Sequence, residues 1–109
     1  MAANTPENKV KAKIKACVKR FPGVYSNWPV PAGYGTPTLD MIGCYYGMFF
    51  AVEAKAPGKK PTPRQDLTIN QMVEAGAAVF VIDGDEGVDR LEEWLNAVRI
   101  WNGGGQHEA

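Results

Sequence analysis

The sequence predicts an α/β domain, a mixed sheet flanked by helices, with elements in the order α-β-β-β-α-β-α. Three observations lead there. Residues 38–55, TLDMIGCYYGMFFAVEAK, are two runs rich in β-branched and aromatic side chains, with a Tyr-Tyr-Gly break between them. That is the pattern of two strands joined by a tight turn. Residues 77–82, AAVFVI, form a continuous apolar run of strand length, which predicts a strand covered on both faces. Amphipathic stretches stand before and after these runs, and the later β-α-β order predicts a mixed sheet with helices packed on it.

The first helix starts at Thr5-Pro6-Glu7: Thr as N-cap, Pro at the first helical position, an acid in the first turn. Val10, Ile14, Cys17, Val18 and Phe21 make its apolar stripe, lysines cover the other faces, and Pro22-Gly23 stops it. Residues 24–30 predict a first strand carrying Tyr25 and Trp28 and ended by Pro29 and Pro31. The loop that follows, 31–37, holds Gly33 and Gly35; it serves as a connector or lets a phosphate backbone approach closely. After the hairpin, APGKKPTP is a stiff basic loop with Lys59 and Lys60. Thr62-Pro63-Arg64-Gln65 opens a second helix with a capping box; Leu67, Ile69, Met72 and Val73 give it an apolar side and Gly76 closes it. Following Asp83-Gly84, a third helix is expected from about Glu86 to Trp101. Its stripe is Val88, Leu91, Trp94, Leu95, Val98 and Trp101, with Glu86–Arg90 as an i,i+4 pair. The Gly-rich segment 102–109 predicts a flexible tail.

A chain of 109 residues with 45% apolar content makes one folded domain, its core spanning about 5–101. No apolar run approaches a membrane span and the N-terminus has no signal-peptide pattern, so a cytoplasmic protein is expected. Cys17 and Cys44 are too few for a zinc site, and the one histidine, His107, lies in the tail; both thiols are expected reduced and in the core. Net charge is zero but unevenly spread. Residues 1–64 hold ten Lys/Arg against three Asp/Glu, and residues 65–109 hold two against nine. A split of +7 and −7 points to a basic surface for a polyanion, with Lys9, Lys13, Lys59, Lys60 and Arg64 as candidate contacts.

The three acids in the basic part are Glu7, Asp40 and Glu53. Asp40 stands seven residues before Gly47 and Glu53 six after it, so an antiparallel hairpin brings them side by side. Lys55 shares a strand face with Glu53 because side chains alternate with period two. Two carboxylates and an ammonium at one strand end can hold a divalent ion and a water beside a phosphate. Ordinary structural duties compete with this reading. Glu7 also complements the helix dipole, Gln65 has its capping box, and Glu53 and Lys55 also suit a solvated strand end.

An acid in the first helix, an acid before a hairpin, Glu53-Ala54-Lys55 and a helix beginning near Gln65 together resemble the PD-(D/E)xK nuclease superfamily, which has a restriction-endonuclease-like core. More closely, GTPTLD (35–40), VEAKAPGKKPTPRQ (52–65) and AGAAVFVIDG (75–84) resemble small VRR-NUC domains of the stand-alone kind carried by bacteriophages. The resemblance covers roughly residues 5–84. One departure is plain: the family has Pro directly before the acid, whereas Thr38 and Leu39 separate Pro37 from Asp40. No other acid lies between residues 8 and 52.

The resemblance implies hydrolysis of phosphodiester bonds in DNA. Asp40 and Glu53 would ligate Mg²⁺ or Mn²⁺, with the Ala54 carbonyl as a further ligand and Glu7 as an outer or second-ion carboxylate. Lys55 would orient the attacking water or stabilise the transition state, and Gln65 would position nucleophile or phosphate. It also implies a homodimer acting on Holliday junctions or other branched DNA in the bacterial host cell. A flap- or sequence-directed nuclease is the enzymatic rival, and a non-catalytic DNA- or partner-binding module the rival of another class.

Overall fold

The computed structural model describes residues 4–30 and 35–103. Seven elements follow one another as α1 (Pro6–Lys19), β1 (Tyr25–Asn27), β2 (Met41–Tyr45), β3 (Met48–Ala54), α2 (Pro63–Glu74), β4 (Ala78–Ile82) and α3 (Asp85–Trp101). This is the order expected, and the four strands form one mixed sheet in the order β1-β2-β3-β4. The first three strands pair antiparallel, and β4 joins β3 in parallel after the α2 crossover.

The β2–β3 turn is two residues long. Tyr46 and Gly47 sit at φ of 51° and 79°, and Tyr45 pairs with Met48. Two successive positive-φ residues match the right-handed twist of the flanking strands and keep the connection tight. Tyr46 accepts this conformation while its ring lies 4.8 Å from that of Tyr45.

One sheet face carries the core. Met41, Tyr45, Phe50, Val52, Ala54 and Ile82 meet Val10, Ile14, Cys17 and Val18 of α1 and Leu91, Leu95 and Val98 of α3. Phe50 and Phe80 both pack on Trp94, with ring centroids 5.3 and 5.7 Å apart. Close approach is built in at Gly43. A Cβ there would lie 2.7 Å from the Phe50 ring and 2.8 Å from the Tyr25 carbonyl, so a glycine inside a strand is what lets Phe50 fill the core.

Several expectations need correction. The first strand is three exposed residues, not 24–30: it lies at the sheet edge, and Pro29 has no N–H to extend the ladder. The 77–82 run is also an edge strand. Among Ala78–Ile82 only Ile82 is fully buried, because β4 has a neighbour on one side alone. On α2 the covered arc centres on Thr68, with Gln65, Ile69 and Met72 beside it; Leu67 and Val73 are exposed. At 100° per residue those two flank the arc instead of belonging to it. Trp101 is likewise exposed, and Cys44 is only half-buried, while Cys17 is in the core; both thiols are free. The Gly33 loop segment 31–34 and the tail from 104 on, with His107, lie outside the described residues. Among the described residues no helix is long and apolar enough to cross a membrane.

Gly43→Ala drives a methyl into the Phe50 ring and the Tyr25 carbonyl. Overpacking of this kind destabilises by about 1–3 kcal/mol, and chemical denaturation of the variant will show a lower midpoint.

Candidate active site

The hairpin register that pairs Met41 with Val52 puts Asp40 opposite Glu53 at the open end of β2 and β3. Each carboxylate is tied to the other strand's backbone. The Asp40 N–H donates to Glu53 Oε1 at 3.3 Å, and the Ala54 N–H donates to Asp40 Oδ2 at 2.8 Å. These crossed bonds fix both side chains and leave Asp40 Oδ1 and Glu53 Oε2 as the oxygens not engaged by backbone. Lys55 continues β3 by donating its N–H to the Ile82 carbonyl at 2.9 Å. Its Nζ lies 3.7 Å from Glu53 Oε2, and both side chains are largely buried.

Glu53 is the one charged residue in the buried interior among the described residues, 4% exposed. Burial pushes its carboxyl above the ordinary range, and the charge of Asp40 pushes in the same direction. The Asp40 N–H bond and Lys55 pull it down, and Glu7 adds a smaller push upward. A buried carboxylate beside another carboxylate is an unstable arrangement unless a cation shares it.

Glu7 stands in the first turn of α1, where Thr5 caps the helix by accepting the Asn8 N–H. Its carboxylate pairs with Lys11 at 3.5 Å. Among the described residues no three His, Cys, Asp or Glu side chains are placed to bind one ion, so the structure gathers Asp40 and Glu53 and leaves Glu7 outside that pair. Two carboxylates still fit Mg²⁺, which keeps several waters and is commonly held by one or two carboxylates plus substrate phosphate. Ala54, 1% exposed, sits between Glu53 and Lys55 with its N–H taken by Asp40.

Gln65 makes the capping box that its spacing predicts: its Oε1 accepts the Thr62 N–H at 3.0 Å, and its own N–H donates to Thr62 Oγ1 at 3.2 Å. Lys59 and Lys60 are exposed on the loop before α2, as is Arg64 on its first turn. That loop is anchored by a residue the sequence reading did not single out. Asp83, at the end of β4, accepts the Gly58 N–H at 3.1 Å through Oδ2.

The basic residues of α1 and its C-cap are divided by packing. Lys13 pairs with Asp85 at 2.7 Å, and Arg20 makes a two-pronged contact with Glu92 at 2.9 and 3.2 Å. Both partners belong to α3, so the flank with Lys13 faces acid. Lys9 is exposed. A second row, Lys11, Lys15 and Lys19, continues from Glu7 at four-residue spacing. That spacing was visible in the sequence, but only the packing of α3 shows which lysines are left for another partner.

A mixed sheet with helices, an acid pair crossed at a hairpin's open end and a lysine two residues after the second acid define a nuclease-like domain of the PD-(D/E)xK class. The structure is similar to a solved structure described as a VRR_NUC domain, with 26% sequence identity, a TM-score of 0.69, and coverage of 82% of this chain and 96% of that one. No family model and no curated protein sequence matches. This structural likeness supports the VRR-NUC resemblance that the residue pattern had implied.

The raised Glu53 carboxyl sets a pH dependence. The native state holds this proton more tightly than the unfolded chain does, so stability falls wherever Glu53 must ionise. The contribution is complete below the ordinary value of 4.5 and is lost as pH rises through the higher native value. In EDTA, Glu53→Gln will therefore melt several degrees above the native protein at neutral pH, and the difference will shrink toward pH 4. A pH series of thermal melts checks both features.

Proposed function

We propose that this protein is a metal-dependent DNA endonuclease selective for branched DNA and active as a homodimer. The observation that carries this reading is the crossed pair of hydrogen bonds that fixes Asp40 against Glu53, with the Lys55 ammonium 3.7 Å from the latter. The VRR_NUC likeness supports it.

In this reading Asp40 and Glu53, with the Ala54 carbonyl, would hold Mg²⁺ or Mn²⁺. When bound, such an ion supplies Lewis-acid stabilisation of the phosphoryl oxygens and lowers the pKa of the attacking water. Lys55 places its positive charge where the phosphate gathers negative charge, and its short tether to a buried strand end limits its wandering. Glu7 adds negative charge at the edge of the site. Gln65 spends its carbonyl oxygen on the helix cap, so its amide N–H₂ is the part left for phosphate or water. Lys59, Lys60, Arg64 and Lys9 contact DNA phosphates, which position the duplex without reading sequence. Lys13 joins them only by giving up Asp85.

Exposed apolar side chains support self-association. Met48 and Phe49 stand beside Met72 around a hollow of about 440 Å³, and Leu67 and Val73 are exposed on α2. A second copy gives a small enzyme two sites for opposing strands.

The deciding experiment is cleavage of a labelled four-way junction beside matched duplex, flap and single-stranded DNA, with Mg²⁺, Mn²⁺ or EDTA. Paired, metal-dependent cuts in the junction are expected, and Asp40→Ala will abolish them. Cutting of another substrate alone would replace the junction preference, and metal-independent binding without any cutting would overturn the enzyme reading. Lys55→Ala is expected to lower kcat by about 10²–10³-fold, the usual loss for one transition-state donor, while DNA affinity changes little. Single-turnover kinetics beside a binding titration separates the two effects.

A further inference from the structure

A groove of about 730 Å³ runs between the second half of α1 and the chain around β1. Ala12, Pro22, Val24 and Trp28 give it apolar walls; among the described residues Lys15 and Lys19 are the charged residues that line it, and no acid does. Trp28 is half-buried and packs against the core, so its ring is held in place. The Lys15 ammonium rests on that ring, 4.8 Å from its centroid. Glu7, Lys11, Lys15 and Lys19 follow one inclined row along α1, because residues four apart are neighbours on a helix surface. The row begins at Glu7, the α1 acid whose charge reaches the Glu53 carboxyl, and comes to the groove about 12 Å further along the axis, a span of a few nucleotides.

We propose that this groove binds an unpaired nucleotide of the DNA substrate, with its base stacked on Trp28 and its phosphates carried along Lys11, Lys15 and Lys19 toward the Asp40–Glu53 pair. The identity of the nucleic acid rests on the nuclease reading above. Three features select this occupant. The groove combines one fixed aromatic face with cations and, among the described residues, no acid, which is how single strands are held without regard to sequence. A base inside a duplex is already stacked on both faces and cannot present one to Trp28. The Lys15–Trp28 contact is replaceable: an exposed cation–π pair is worth about 0.5–1 kcal/mol, whereas a base stacked on an aromatic side chain is worth about 1–3 kcal/mol. A base that takes the ring releases the Lys15 ammonium for the adjoining phosphate. On the other flank Lys13 and Arg20 are held by Asp85 and Glu92, whereas on this row Lys11 pairs with Glu7 and the two lysines that line the groove face the Trp28 side.

The test is the affinity of the full chain, without divalent metal, for a labelled oligothymidylate and for a blunt duplex, read by fluorescence anisotropy. Trp28→Ala is expected to lower the ratio of single-strand to duplex affinity about tenfold, as loss of one stacking contact implies. The doubly reversed variant Lys15→Glu/Lys19→Glu, altered only at exposed positions, will lower the ratio at least as far, and Trp28→Phe will recover most of it. An unchanged ratio in the lysine variant, or a native protein that does not bind the oligothymidylate, overturns the proposal. Parallel cleavage assays separate the two readings. Cleavage with an unchanged ratio removes the groove and keeps the nuclease. A shifted ratio in a protein that cuts nothing removes the nuclease and keeps the groove.

Discussion

The two-residue turn at Tyr46-Gly47 holds β2 and β3 in a single register, and the functional geometry follows from that register. With Tyr45 opposite Met48 and Met41 opposite Val52, Asp40 must face Glu53. A slip by one residue would turn every side chain of one strand to the other face. Phe50 and Val52 would leave the core if β3 slipped, or Met41 and Tyr45 if β2 did, and in either case Asp40 would lose Glu53. The apolar pattern of the core and the site's acid pair therefore enforce the same alignment. Gly43 contributes from within the strand, since any side chain there would push Phe50 away and loosen the sheet on which the pair depends.

The same alignment imposes an electrostatic strain on the fold. Glu53 is nearly inaccessible, it sits against a like charge, and Lys55 and one backbone N–H only partly offset this. A core designed for stability alone would place an apolar residue there. The neighbouring bonds show where rigidity is concentrated: the Ala54 N–H on Asp40, the Lys55 N–H on Ile82 and the Gly58 N–H on Asp83 tie the hairpin end, the β4 end and the basic loop to one another.

Local signals carried much of this architecture into the sequence. The caps of α1 and α2, the hairpin and the approach of Asp40 to Glu53 all follow from residues within a few positions or from counting along one hairpin. What depends on distant packing was not legible. AAVFVI reads as a fully covered strand, yet nothing in those residues says that β4 ends the sheet. Leu67 and Val73 read as core because they are apolar, although α2 turns Thr68 inward. Charge counting selected Lys9 and Lys13, but it takes Asp85 and Glu92 on α3 to show that Lys13 and Arg20 are tied to that helix while Lys15 and Lys19 line the groove on the other side of α1. Trp28 read as a strand residue, and only the shortness of β1 leaves it to line a groove.

The pairing of one α1 flank with α3 has a further consequence. Acidic residues collect on and around α3, while Lys15 and Lys19 line the groove on the other side of α1, so a molecule of zero formal charge carries its two signs unevenly. In the field of a polyanion such a molecule experiences a torque before it experiences contact. It approaches with its acids trailing, and a productive encounter needs little rotational search. Salt would weaken that alignment even though the average charge gives it nothing to screen.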